Sequence, residues 1–97
     1  MSSYYYNRTL IMSKKHENEL AEALTEISDL QVAKDFLSNM FTPNELEELA
    51  LRLQILKSLK AGVPQREIVK NLNVSIGTVS RGSREVKYGK SKFIQQL

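Results

Sequence analysis

Cysteine is absent from the 97 residues, which removes a disulfide framework, a thiolate metal site and a thiolate nucleophile together. Histidine occurs once, as His16, beside Lys14 and Lys15 in a polar stretch where it reads as a surface residue and not as a ligand or base. The four glycines form no phosphate-cradling loop. No apolar run approaches membrane-spanning length and no signal-peptide core follows Met1, so a cytoplasmic protein without a membrane partner is expected. The carboxylates cluster in amphipathic helices as solvated faces. Enzyme activity is therefore not expected.

Charge of one sign is scarce in each half of the chain. Residues 1–50 carry four Lys/Arg against nine Asp/Glu, a net −5, while residues 51–97 carry ten against two, a net +8. The basic half is an electrostatic footprint for the phosphates of double-stranded DNA, and the acidic half should face away from them.

Residues 1–13 have no sustained period and read as a flexible N-terminal arm with three tyrosines, Tyr4, Tyr5 and Tyr6. Residues 14–97 read as a single helical domain. A first helix over about Lys14–Ser28 carries Leu20, Leu24 and Ile27 as an apolar stripe, and a second over about Gln31–Asn39 carries Val32, Ala33, Phe36 and Leu37. Thr42-Pro43-Asn44-Glu45 is the strongest helix start in the chain. Thr42 suits the N-cap, Pro43 suits the first helical position, and Glu45 completes a capping box. The helix that follows keeps Leu46, Leu49, Ala50, Leu53, Leu56 and Leu59 on its apolar face until Gly62 closes it in the usual glycine C-cap role.

Residues 65–87 have the form of a helix-turn-helix. Ile68, Val69 and Leu72 give a short amphipathic helix. Asn73 tolerates a left-handed turn, Val74 plugs the corner, and Ser75 caps a second helix. Val79 and Val86 point back to the core. That leaves Gly77, Thr78, Ser80, Arg81 and Arg84 toward the outside, a small, polar and cationic face that suits a major groove. Ile76, Gly77, Thr78 and Ser80 are the candidates for base edges, and Gln65, Arg66, Arg84 and Lys87 for phosphates. An ordinary two-helix corner with a solvated basic face is the plain alternative. Tyr88-Gly89 then breaks the helix, and one last short helix falls in Lys90–Leu97.

About six helices and no strand make this an all-α fold. Its N-terminal helices hold more large apolar residues than one short-helix monomer can cover, so a homodimer sharing one core is expected. Paired half-sites in DNA fit that symmetry.

Met40-Phe41-Thr42-Pro43-Asn44-Glu45, Leu49, Arg52, Gly62, Gln65-Arg66-Glu67, Ile76, Thr78, Arg81-Gly82-Ser83 and Lys87 together resemble the tryptophan repressor family over roughly residues 36–88. The resemblance implies an intertwined all-helical homodimer that represses transcription at an operator, with L-tryptophan as corepressor. It implies that Arg81 holds the tryptophan carboxylate and that Arg52, from the partner subunit, stacks on the indole. Thr42 and Thr78 supply hydroxyls, and Phe41, Leu56 and Gly82 line the ring slot. Guanidinium forks suit carboxylates and guanidinium planes suit indole faces, whatever the family. Arg52 paired with Glu48, and Arg81 with Glu85, at i,i+4 spacing is the structural alternative. Glu85 stands where the family has a serine near the ligand ammonium. The Gly62-Val63-Pro64-Gln65 joint is one residue short, and Val69 replaces a lysine. The tail from Val86 resembles a branch of repressor-like proteins with no established ligand. A ligand-independent or other-ligand repressor is therefore one alternative, and a structural DNA binder without sequence preference is another.

Overall fold

The start of the long central helix shows why these residues fold as they do. In the computed structural model, which describes residues 3–97 and side chains from Ser13 onward, Thr42 has extended backbone angles and its Oγ1 accepts from the Glu45 N–H at 3.2 Å. The Glu45 carboxylate accepts in return from the Thr42 N–H at 2.9 Å, closing the capping box. Hydrogen bonding from Thr42 to that carboxylate, from its backbone N–H first and then its side chain, holds the Glu45 carboxyl below its ordinary pKa. The helix they start is α3 (Pro43–Lys60).

α3 ends on Gly62, whose φ of 83° lies in the left-handed region. The Val63 N–H reaches back to Ser58 O and the Gly62 N–H to Leu59 O, each at 3.0 Å, which is the paired Schellman arrangement. Any other residue at Gly62 would be strained by its φ, although the space around it is open.

The chain forms two compact units, Met1–Met40 and Phe41–Leu97. The first holds α1 (Ser3–Thr25) and α2 (Leu30–Met40). Helical backbone from Ser3 takes in the stretch expected as an arm, and the side chains of Tyr4, Tyr5 and Tyr6 lie outside the described residues. Asp29 caps α2, its Oδ1 accepting from the Gln31 N–H at 2.6 Å and the Val32 N–H at 3.2 Å. No α2 residue is buried, and Leu20, Leu24, Leu30, Val32 and Met40 are all exposed.

The second unit holds α3, α4 (Gln65–Leu72), α5 (Ile76–Tyr88) and α6 (Lys92–Gln95). α4 and α5 are joined by three residues, 73–75. Asn73 is left-handed at φ 53°, and the Val74 N–H returns to Val69 O at 3.3 Å. Asparagine is among the few non-glycine residues that visit this region at low cost. α3 packs on both α4 and α5, and α4 packs on α5. Ile55, Ile68 and Val79 form the buried centre, ringed by Leu59, Val63, Val69, Leu72 and Val74. Val79 is wholly buried as expected, whereas Val86 is half-buried. Gln95 Nε2 donates to Val86 O at 2.9 Å, tying α6 to α5. All described residues are helix, turn or irregular, and no described helix is long and apolar enough to cross a membrane.

Candidate functional site

α5 presents three sides, each with its own chemistry. Val79 and Ser83 are buried. Thr78, Arg81, Gly82 and Glu85, at helical spacing, form one wall of a groove. Ile76, Gly77, Ser80, Arg84 and Lys87 belong to neither set, and all but the half-buried Ser80 are exposed.

The facing wall of the groove is α3, through Glu48, Leu51, Arg52, Ile55 and Leu56, and its end is the turn, through Val74 and Ser75. The volume is about 500 Å³, within the range of small-molecule sites. Gly82 is what lets the walls come together. A Cβ there would stand 3.1 Å from Ile55 Cγ2 and 3.3 Å from Leu59 Cδ1, tighter than ordinary contact. Gly82→Ala gains about 1 kcal/mol of helix propensity but overpacks a core that tolerates added carbon at a cost of about 1–3 kcal/mol. The overpacking should win because Ile55 is itself only 2% exposed and has little room to yield. A lower urea midpoint is the expected result.

Two guanidiniums and two carboxylates meet in this groove: Arg52 and Glu48 from α3, Arg81 and Glu85 from α5. The set is balanced in charge. It offers forked donors for a carboxylate, acceptors for an ammonium, and an apolar floor of Ile55 and Leu56 for a ring.

Six of the eight residues expected at a ligand line the groove: Arg52, Leu56, Thr78, Arg81, Gly82 and Glu85. Phe41 and Thr42 do not. They stand at the start of α3, where the Thr42 hydroxyl oxygen is engaged in the cap. Arg52 lines the groove of its own chain beside Arg81, because α3 runs along α5. Glu48, Leu51, Ile55, Val74 and Ser75 were not anticipated as lining. Glu48 alone carried a signal, one turn before Arg52 on the same side of α3.

On the outward side, Ser80 Oγ donates to Gln65 Oε1 at 3.2 Å, fastening the start of α4 to the middle of α5. Arg66, Arg84 and Lys87 extend from the same two helices as exposed cations. Thr78 is two residues from both Ile76 and Ser80, a spacing that turns it away from them and into the groove. Its N–H donates to Ser75 Oγ at 3.1 Å, and the two hydroxyl oxygens are 2.8 Å apart.

The second unit thus combines a left-handed asparagine turn with a groove, lined by Arg52 and Arg81, beneath the second helix of that turn. The sequence model of the family described as Trp repressor protein matches residues 15–97. The chain belongs to this family. Its relatives include a Trp operon repressor homolog of Haemophilus influenzae (strain PittEE), 42% identical over 66 residues, which are 67% of this chain and 65% of that protein. A second, from Actinobacillus succinogenes, is 38% identical over 80 residues, covering 81% and 79% of the two chains. A third, from Vibrio campbellii, is 36% identical over 74 residues, covering 75% and 74%. The match thus spans just under two thirds of the Haemophilus relatives' length. No solved structure matches the chain. Within the Trp repressor family, the α4–turn–α5 segment and the groove both fall inside the matched region.

Proposed function

We propose that this chain is a sequence-specific, DNA-binding transcriptional repressor that works as a homodimer and is controlled by L-tryptophan. The observation that carries the proposal is the division of α5, with a cationic outward side on one flank and the charged groove on another. A ligand in that groove touches the element that reads DNA. Family membership and the names of the relatives support the same reading.

In this reading Arg81 forks the tryptophan carboxylate, Arg52 covers one face of the indole, and Glu85 accepts from the ammonium. Phe41 and Thr42, outside the groove of their own chain, are assigned to the groove of the second subunit. Ile76, Gly77 and Ser80 meet base edges, and Gln65, Arg66, Arg84 and Lys87 meet phosphates, with Thr78 at the boundary of the two sets. The acidic first half stays away from the duplex.

The test begins with a random pool of duplexes, enriched by the wild-type protein in the presence of tryptophan. A repressor enriches one site and binds it orders of magnitude more tightly than a scrambled duplex, while a structural DNA binder enriches none. Fluorescence anisotropy on that duplex, with and without tryptophan, then decides whether tryptophan is the effector.

Glu85 makes the ligand claim sharper, because it adds a requirement for a free ammonium. Indole-3-propionate keeps the ring and carboxylate but lacks the ammonium. Losing one charge-assisted contact costs about 1.5–3 kcal/mol, so calorimetry should find it about ten- to a hundredfold weaker than tryptophan. Glu85→Ser should narrow the gap. Equal binding of the two ligands would mean that Glu85 does not read the ammonium. Absence of binding by both at millimolar concentration, with DNA binding intact, would place the chain with ligand-independent repressors.

A further inference from the structure

The turn that starts the reading helix is also the end wall of the ligand groove. Ser75 is the N-cap of α5, with extended backbone angles and its Oγ accepting the Thr78 N–H at 3.1 Å. That oxygen is also 2.8 Å from Thr78 Oγ1. Val74, Ser75 and Thr78 line the groove together with Arg81, one turn beyond Thr78 on the same side of α5. The cap and the groove therefore share two hydroxyls.

A hydroxyl has one proton to give and two lone pairs to receive with. Between Ser75 and Thr78 either oxygen can be the donor. A carboxylate settles the direction, since it only accepts. Held at Arg81 and reached by Thr78, it takes the Thr78 proton, and Ser75 must then donate to Thr78 Oγ1. The result is a directed chain in which the Thr78 N–H donates to Ser75, Ser75 donates to the Thr78 hydroxyl, and that hydroxyl donates to the ligand. Each bond in such a chain polarises the next.

We propose that the Ser75–Thr78 hydroxyl pair is the coupling element between groove and DNA, with Ser75 a positioning residue that transmits the ligand carboxylate to the N-cap of α5. This rests on the reading of the groove as a tryptophan site given above. The ligand then steadies the first turn of the helix, which carries Ile76 and Gly77. Linkage makes the effect reciprocal: DNA that orders this turn raises ligand affinity by the same factor.

Ser75→Gly isolates the hydroxyl, because glycine serves an N-cap nearly as well as serine. On the enriched duplex, this variant should bind DNA without tryptophan within about twofold of wild type. The factor by which saturating tryptophan tightens DNA binding should fall about fivefold, the worth of one hydrogen bond. Ser75→Thr, which keeps the hydroxyl and the cap, should restore that factor. In the wild type, tryptophan amide, which has no carboxylate, should fill the groove by calorimetry without tightening DNA binding as tryptophan does.

A wild-type tightening factor in Ser75→Gly overturns the coupling. So does an equal loss of DNA binding with and without tryptophan, which would leave Ser75 a structural cap only. Full tightening by tryptophan amide overturns it without recourse to any variant. No response of the wild type to tryptophan overturns the proposed function, and the coupling with it; the first three results leave that function standing.

Discussion

Leu53→Glu is expected to yield unfolded chain at micromolar concentration, not a folded monomer. Leu53 lies on α3, 42% exposed, on a different side from the buried Ile55 two residues on. If one chain folded alone, a polar side chain at such a position would change stability by no more than about 0.5 kcal/mol. The second unit, however, has only Ile55, Ile68 and Val79 as buried apolar side chains. Three buried side chains, at about 1.5–3 kcal/mol each, are a small core to set against chain entropy. Leu20, Leu24 and Met40 of the first unit are also left in solvent, which adds to the apolar surface that a second copy can cover. In a homodimer Leu53→Glu places two carboxylates in that shared core, and buried charges without partners are among the largest single destabilisations known. Circular dichroism and sedimentation decide the matter. The wild-type unfolding midpoint should rise with protein concentration, as it does for coupled folding and association. A concentration-independent midpoint at monomeric mass, with Leu53→Glu still folded, would overturn the dimer.

The same residues show how far the sequence could be read. The start of α3 was legible because capping is local: Thr42, Pro43 and Glu45 satisfy one another within a single turn. The left-handed Asn73 and the Ser75 cap were legible for the same reason. Ile55 was not, since α3 carries apolar residues on several sides and spacing alone does not say which of them another helix will cover. Ser83 was missed as a buried residue because serine ordinarily argues for the surface. The α5 wall of the groove, Thr78, Arg81, Gly82 and Glu85, was reached only through the family resemblance, and their shared helix side fits it. Its lining by Glu48, Leu51 and Val74 depends on how α3 lies against α5, which is a matter of packing between residues some 30 apart in the chain.

Ser80→Glu should abolish specific DNA binding while leaving the protein folded and able to bind tryptophan. Ser80 sits halfway along the outward side of α5, half-buried, its hydroxyl donating to Gln65 Oε1. A glutamate there can keep the link to α4, because the Gln65 amide can turn to offer its NH₂ to the new carboxylate. What it cannot keep is compatibility with DNA. A carboxylate between Ile76 and Arg84 faces phosphates of its own sign and blocks the approach to base edges. The loss expected is the whole advantage of the enriched site over scrambled duplex, about 10³-fold or more. Arg66→Ala provides the contrast. Arg66 is an exposed cation at the start of α4, so its removal should weaken all duplexes about equally and lower the slope of log affinity against log salt by about one unit. Tryptophan binding should survive Ser80→Glu, because Ser80 stands outside the groove that Thr78, Arg81, Gly82 and Glu85 line. Retained tryptophan binding with the loss of DNA binding therefore separates a damaged reading surface from a damaged fold. Specific DNA binding by Ser80→Glu at wild-type strength would show that α5 does not enter the duplex by this side.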